Sequence, residues 1–402
     1  MFNGNHQDNP EAYRIFSKEF IQNPYPGYRK LREEQPVYKT VMPDGQTGWV
    51  VTKYEDAVAA LKDKRFIKDF SKLYGGQMDH ESIFTENMLF SDPPDHKRLR
   101  GLVQKAFTPR MIENMRGRIK EIADELLDRM ENKEEISLID DYAFPLPIIV
   151  ISEILGVPAE DQDKFRIWSN SLIEGSNGEN WNEIQQHMNE FVQYLGEWFA
   201  FLRENPRDDL ISQLINAEEG GDKLIEKELY GVVSLLIIAG HETTVNLIGN
   251  GILSLLENPD QLKLLREKPE LIHNAVEELL RYNGPVEYST SRWAIEDVEF
   301  QGQTIRKGEL VIAALNSANR DDEKFADPDV LDITREKSPH LAFGKGIHLC
   351  LGAPLARLEG EIAILALLER FPEIGLNASP DELEWRPGMI VRGVKELPLR
   401  VR

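Results

Sequence analysis

The chain has a single cysteine, Cys350, among 402 residues. One thiol cannot close an intrachain disulfide or build a multi-cysteine zinc or iron–sulfur site, so those scaffolds and centres are excluded. Basic residues are outnumbered, 47 Lys and Arg against 69 Asp and Glu, for a formal net charge of −22. Nucleic acid and anionic membrane surfaces need a positive face, so neither is expected as a general partner. Long hydrophobic runs are scarce: stretches such as Leu235–Ala239 and Ile362–Leu368 fall far short of the roughly 18 residues that span a bilayer. Met1–Arg14 has neither a basic start nor an apolar core, so no secretory signal or membrane anchor is expected and the cytoplasm is the default compartment. No Ser/Gly linker, Pro-rich tract or internal repeat divides the sequence. With 41% apolar residues the chain can bury one large core. A single domain over 1–402 is expected, its β-rich N-terminal part (about 1–65) packed on a helix-rich lobe.

Most of the sequence carries helical periodicity, over 54–63, 96–130, 145–155, 160–172, 182–204, 226–257, 260–266 and 270–282, with prolines as punctuation. Strand patterns are few. Residues 37–52 read as a hairpin around Pro43-Asp44-Gly45, and short strands are expected at 298–300, 310–314, 389–392 and 397–401. The expected class is therefore predominantly α with a small β region (α+β). Segments 67–92 and 316–349 lack periodicity, and loops of that length usually serve function or tight packing.

Two segments carry chemistry. The first is Phe343-Gly344-Lys345-Gly346-Ile347-His348-Leu349-Cys350-Leu351-Gly352. A lone thiol is ordinarily a buried small hydrophobe, but these glycines let backbone approach a large flat ligand and turn N–H groups toward sulfur. From Pro354, helical spacing of Leu355, Leu358, Ile362, Leu365 and Leu368 places Cys350 near a helix N-terminus, where the dipole favours a thiolate. The second is Ala239-Gly240-His241-Glu242-Thr243-Thr244, which interrupts a long apolar helix between Leu229 and Leu256. Glycine costs about 1 kcal/mol there relative to alanine, and Thr243 can divert the Ala239 carbonyl, so a bulge or kink is expected. His241-Glu242 opens the zinc-protease pattern HExxH, but Val245 stands where the second histidine is needed, and His241 is read as a helix-face residue.

The first segment resembles the cysteine-ligand loop of the haem-thiolate monooxygenases, the cytochromes P450, with the pattern Phe-Gly-x-Gly-x-His/Arg-x-Cys-x-Gly. All six fixed positions are filled, a match expected by chance in about one chain in several hundred thousand. The second resembles the family's oxygen-activating helix. The resemblance covers nearly the whole chain and implies the following roles. Haem b (iron protoporphyrin IX) is the cofactor and Cys350 its axial ligand, whose thiolate favours O–O cleavage. Phe343, Gly344 and Gly352 border the ligand, and Ala239 and Gly240 lie on the opposite side. Glu242 relays protons and Thr243 holds the oxygen site by hydrogen bonding. His96 and Arg100, in Asp95-His96-Lys97-Arg98-Leu99-Arg100, with Arg292 and His348, hold the propionates. Glu278 and Arg281, three apart on one helix, form the structural pair that locks the haem-side core; the same spacing at Glu11/Arg14, Glu113/Arg116 and Glu204/Arg207 is read as surface coincidence. Arg306 stands where the family usually has proline, which affects only the local turn.

The implied reaction reduces O2 with two external electrons and oxidises a lipophilic small molecule of macrolide, steroid, terpenoid or fatty-acid type. A peroxide-driven peroxygenase and a non-catalytic haem-thiolate sensor or carrier remain as alternatives. The chain has no dinucleotide fingerprint and cannot hold an iron–sulfur cluster, so electrons must come from a ferredoxin or flavodoxin with its reductase. Lys97, Arg98, Lys105 and Arg110, in an acid-free stretch, are the expected dock. Expected substrate contacts are Ile83, Phe84, Met88, Leu89, Leu172, Leu236, Val286, Met389 and Ile390, with Glu287 able to favour a cationic substrate.

Overall fold

The computed structural model describes residues 13–75, 85–174, 181–218, 221–335 and 339–402. The expected contacts Ile83 and Phe84 lie outside these residues, as does the side chain of Leu172. Helices α1 (Lys18–Gln22) and α2 (Tyr25–Glu34) lead into β1 (Val37–Val41), β2 (Thr47–Val51), α3 (Tyr54–Lys62) and β3 (Phe66–Ile67). A helical stretch follows: α4 (Asp95–Ala106), α5 (Pro109–Asn114) and α6 (Arg116–Asp128), then β4 (Glu135–Ser137), α7 (Pro145–Ile154), α8 (Gln162–Glu174), α9 (Trp181–Glu204) and α10 (Leu210–Asn216). Next come α11 (Glu226–Glu257), α12 (Pro259–Glu267) and α13 (Ile272–Asn283). The chain closes with β5 (Arg292–Ala294), β6 (Val298–Phe300), β7 (Gln303–Ile305), β8 (Leu310–Ala313), α14 (Leu315–Ala318), α15 (Ala353–Arg370), β9 (Ile374–Leu376) and β10 (Pro398–Val401).

Capping explains two boundaries that periodicity blurs. The pattern over 96–130 is three helices, because Thr108 accepts a hydrogen bond from Met111 N (3.2 Å) with Pro109 in the first turn, starting α5 afresh. At the head of α11 the Glu228 carboxylate accepts the Ile225 N–H at 2.9 Å.

The principal sheet runs β1-β2-β8-β5-β3, with β2 and β8 parallel (Gly48 opposite Leu310) and the other pairs antiparallel. Residues 13–65 are thus not a β-rich part on their own. They supply two strands and three helices, and the sheet is completed by β3 and by β5 and β8 from 292–313. A second sheet, β4-β10-β9, includes two strands without a sequence signal; the strand expected at 389–392 is only a bridge between Val391 and Val286.

Helix α11 runs through the main apolar core against α7, α13 and α15. By length and composition it could cross a membrane, contrary to the count of unbroken apolar runs, but most of its apolar surface is buried inside the fold. Its polar turn produces neither a break nor a π turn. Two side-chain hydrogen bonds reach back to the preceding turn as expected, Thr243 Oγ1 to Ala239 O (2.7 Å) and Thr244 Oγ1 to Gly240 O (3.2 Å).

Candidate active site

The cysteine loop turns back on itself. Cys350 N donates to Phe343 O (2.9 Å) and Gly344 N to Leu341 O (2.8 Å). Gly346 has φ +80° and packs so closely on α3 that a Cβ would stand 3.1 Å from Leu61 O, so only glycine is accommodated there. Cys350 is an exposed residue whose thiol is nonetheless closely surrounded by protein, just before α15. Burial pushes its thiol up, opposed by the N–H groups of Gly352 and Ala353 and by Arg100 and Arg357. The helix-end amides act in the expected direction, but desolvation outweighs them. Phe343 is held from outside by Arg357, 4.5 Å over its ring, and Arg357 in turn pairs with Glu277 (2.5 Å).

Beside this loop sits a concentration of buried basic groups. The His96 and His348 rings are 4.3 Å apart, and the Nε2 atom of each is buried without a hydrogen-bond partner. Arg292 is 5% exposed and donates to Thr290 O (3.1 Å). Lys68, which sequence reasoning missed, is 3% exposed and reaches Thr290 Oγ1 and Ser291 O (3.0 Å). Desolvation and mutual repulsion drive these groups toward neutrality. His348 falls to about 2, through burial and then Lys68, His96, Arg292 and Arg100; Arg292 falls to about 10, chiefly through burial; Lys68 falls well below its ordinary value through burial and Arg292. Asp92 is the acid whose field opposes the shifts at Lys68, His96 and Arg292. A cluster this short of counter-charge, with two orphaned imidazole nitrogens, fits a dianionic ligand. Haem, whose two propionates are such a dianion, would fit this cluster, with the nearby thiol of Cys350 as the candidate iron ligand.

One turn of the largely buried helix α11 is less covered: Ala239 is exposed, and Gly240, Glu242 and Thr243 are half-buried. Thr243 spends its proton on Ala239 O, leaving its oxygen lone pairs free to accept. Glu242 makes no hydrogen bond among the described residues; burial raises its carboxyl, opposed by Arg386. His241 is fully buried, packs edge-on to Phe144 and faces the Phe144 carbonyl at 3.2 Å; burial lowers it to about 4. On the next face, Thr244 lies 3.3 Å from Glu359 of α15, a carboxyl 2% exposed and raised by burial to about 8.

Glu278 and Arg281 form a bidentate pair (2.7 and 2.8 Å), 4% and 2% exposed. Arg281 also donates to the carbonyls of Asn319, Pro328 and Val330, and Arg335 joins Glu278 at 3.1 Å. All five guanidinium protons of Arg281 are used, and the pair ties α13 to the segment preceding the cysteine loop. Glu113–Arg116 is indeed an exposed surface pair.

Several expected contacts are placed differently. Met88 is 6% exposed and packs in the main core. Met389 packs with Ile15, Tyr28 and Ile312, behind the sheet, and Val286 packs on the sheet's other cluster. Leu236 is partly buried against the main core, and Leu89 and Ile390 are half-buried. Glu287 is not free for a cationic ligand: it accepts from Tyr28 (2.5 Å) and Asn316 (3.0 Å), with Arg392 at 3.7 Å. Arg98 is drawn inward to Glu228 and Asp222 (3.5 Å) and Lys105 donates to Glu218 O (2.8 Å), leaving Lys97 and Arg110 as the exposed cations of that stretch without a partner among the described residues.

A cysteine just before a helix, a buried basic cluster against its loop and an acid–alcohol turn in a long apolar helix are the features expected of a haem-thiolate protein. The model of the family Cytochrome P450 matches residues 15–155, 161–269 and 265–396. Cytochrome P450 107B1 of Saccharopolyspora erythraea is 49% identical over 395 residues, covering 96% of each chain. The polyketide biosynthesis cytochrome P450 PksS of Bacillus subtilis is 45% identical over 392 residues, covering 95% of this chain and 96% of PksS. Among solved structures, the myxobacterial cytochrome P450 CYP267B1 in complex with myristic acid superposes with TM-score 0.90 at 43% identity, covering 97% and 99% of the two chains. The chain belongs to the cytochrome P450 family and is a haem-binding monooxygenase of bacterial type.

Proposed function

We propose that this enzyme takes two electrons from a separate carrier protein in the cytoplasm and hydroxylates, or otherwise oxidises, a lipophilic small molecule. Bound haem supplies the oxygen-activating chemistry. Cys350 is the candidate ligand, and His96, Arg100, Arg292 and His348, with Lys68 added, are the candidate propionate donors. Glu242 and Thr243 form the proton path: the Thr243 oxygen accepts from and orients a water, and the raised Glu242 carboxyl, protonated more readily than an exposed glutamate, supplies the proton. The observation that carries this reading is the open Ala239–Thr243 turn within a buried helix, an expensive arrangement unless it lines a reaction space. Retention of the Glu242–Thr243 pair favours dioxygen over peroxide as oxidant.

For the electron carrier, Lys97 follows His96, whose ring lies against His348 of the cysteine loop, so this cation borders the loop. The loop itself exposes Ile347 (50%) and Leu349 (45%). Together with Arg110 they suit a small acidic ferredoxin or flavodoxin. The decisive test is the carbon monoxide difference spectrum of the reduced holoenzyme together with Thr243→Ala. The thiolate-type red-shifted band is expected in both proteins. Thr243→Ala should still consume reductant but release a larger share of it as peroxide. Absence of the band in the unmodified enzyme overturns the reading.

A further inference from the structure

The segment 385–394 folds back on itself through a Trp385–Val394 bridge and the Arg386 N to Gly393 O hydrogen bond (2.8 Å). It lies directly on α11: a Cβ at Gly393 would stand 1.9 Å from Asn246 Oδ1, one helical turn beyond Glu242. Arg386 is accordingly the charged residue whose field reaches both Glu242 and His241. On its outer side Arg386, with Gly388 and Val391, forms one wall of an open cleft whose other wall includes Phe16, Phe20 and Ile21. The cleft measures about 310 Å³ counting its solvent-filled mouth and is open to solvent.

The other charged groups of this cleft are committed. Glu287 is held by Tyr28, Asn316 and Arg392. Arg392 donates to Asn283 Oδ1 (3.3 Å) and Ile21 O (2.7 Å) and stacks 3.7 Å over Trp385. Arg386 differs: half-buried, its guanidinium has no hydrogen bond or ion pair among the described residues. Five donors in a rigid fork, partly desolvated and facing an apolar wall, are best satisfied by a carboxylate taken two-pronged. Glu242 does not fill that role, since the two make no direct bond and burial, not Arg386, dominates the Glu242 carboxyl.

We propose that Arg386 anchors the carboxylate of an otherwise lipophilic substrate, so that the enzyme selects amphiphilic acids. This rests on the monooxygenase reading and narrows its substrate class. The apolar body of the acid meets Phe16 and Phe20 on entering the cleft. Anchoring one end fixes which carbon reaches the oxygen site, so Arg386 governs regiochemistry as well as affinity.

The test compares tetradecanoic acid with its methyl ester, which share a chain but not a charge, by the Soret shift that each induces in the ferric holoenzyme. The acid is expected to bind roughly tenfold to a hundredfold more tightly than the ester, the contribution of one charge-assisted pair. Arg386→Gln should abolish that preference by weakening acid binding alone, with Arg386→Lys intermediate, and should broaden the product distribution from the acid. Equal responses to acid and ester in the unmodified enzyme, including no response to either, overturn the proposal without any variant. So does a preference that survives Arg386→Gln. The carbon monoxide spectrum is recorded on every protein: a normal thiolate band with no acid preference sinks the anchor and leaves the monooxygenase reading standing, whereas a missing band sinks that reading itself.

Discussion

Glu359 should make this enzyme less stable as pH rises through the neutral range. Its carboxyl is 2% exposed, has Thr244 as its hydrogen-bond partner at 3.3 Å, and is raised from 4.5 to about 8 by desolvation. In the unfolded chain the same group ionises near its ordinary value. Between roughly pH 4.5 and 8 the folded state therefore binds the extra proton, and stability falls with increasing pH across that window. The shift of about 3.5 units, at 1.36 kcal/mol per unit, sets a ceiling of about 5 kcal/mol on the total loss. At pH 7 about 2.5 of those units have been traversed, or about 3 kcal/mol. Glu359→Gln keeps a neutral group of the same shape that can still bond Thr244, and removes the proton linkage. It should leave stability near pH 4.5 unchanged, raise it by up to about 3 kcal/mol at pH 7, and flatten the pH dependence between 5 and 8. Urea unfolding of the holoprotein at several pH values, followed by far-UV circular dichroism, measures this directly. The infrared carbonyl band of a protonated carboxyl should be present at pH 6, absent in Glu359→Gln, and titrate near pH 8. If the variant is no more stable than the parent at pH 8, or the band is missing at pH 6, the reasoning from burial is wrong.

Three further outcomes are expected. Arg281→Ala strands the Glu278 charge in a fully buried pair and should cost about 3–5 kcal/mol, yielding protein recovered largely without haem as judged by the Soret-to-protein absorbance ratio. Lys68→Met removes one charge-assisted donor and should speed haem loss to an apoprotein acceptor by about tenfold to a hundredfold, with little effect on folding; an unchanged rate would remove Lys68 from the propionate set. Lys97→Glu and Arg110→Glu should slow reduction by an acidic electron carrier and reduce its salt dependence, whereas Arg98→Glu should mainly destabilise the protein by breaking the contact with Glu228.

Sequence periodicity located most of the helices because their apolar faces recur at helical spacing, and α11, α13 and α15 lie close to where the pattern puts them. The motif around Cys350 was legible for a different reason: ligand, glycines and histidine are contiguous, so local spacing is site geometry. Lys68 and Arg386 were not legible. Lys68 follows Phe66 and Ile67 in a segment without periodicity, and its burial comes from strand β5, more than 200 residues away. Arg386 sits in a turn-rich segment, and its significance lies in having no partner among the described residues, which depends on every surrounding side chain. The same holds for the misplaced contacts. Met88 and Met389 are apolar residues near the right loops, yet each packs into core, because apolarity does not distinguish a wall that faces a cavity from one that faces a neighbouring helix.

By itself the sequence determined the family: one cysteine in a glycine-rich loop and one acid–alcohol pair in an apolar helix resemble cytochrome P450 motifs, and because each is contiguous the resemblance is carried by short-range spacing. The tertiary structure decided which charges are spent and which are free. It committed Arg98 to Glu228 and Glu287 to Tyr28, gathered Lys68, His96, Arg292 and His348 into one basic cluster, buried Glu359 against α11 and left Arg386 without a partner among the described residues at an open cleft. Pairing and desolvation are properties of residues distant in sequence and adjacent in space, and only the folded chain brings them together.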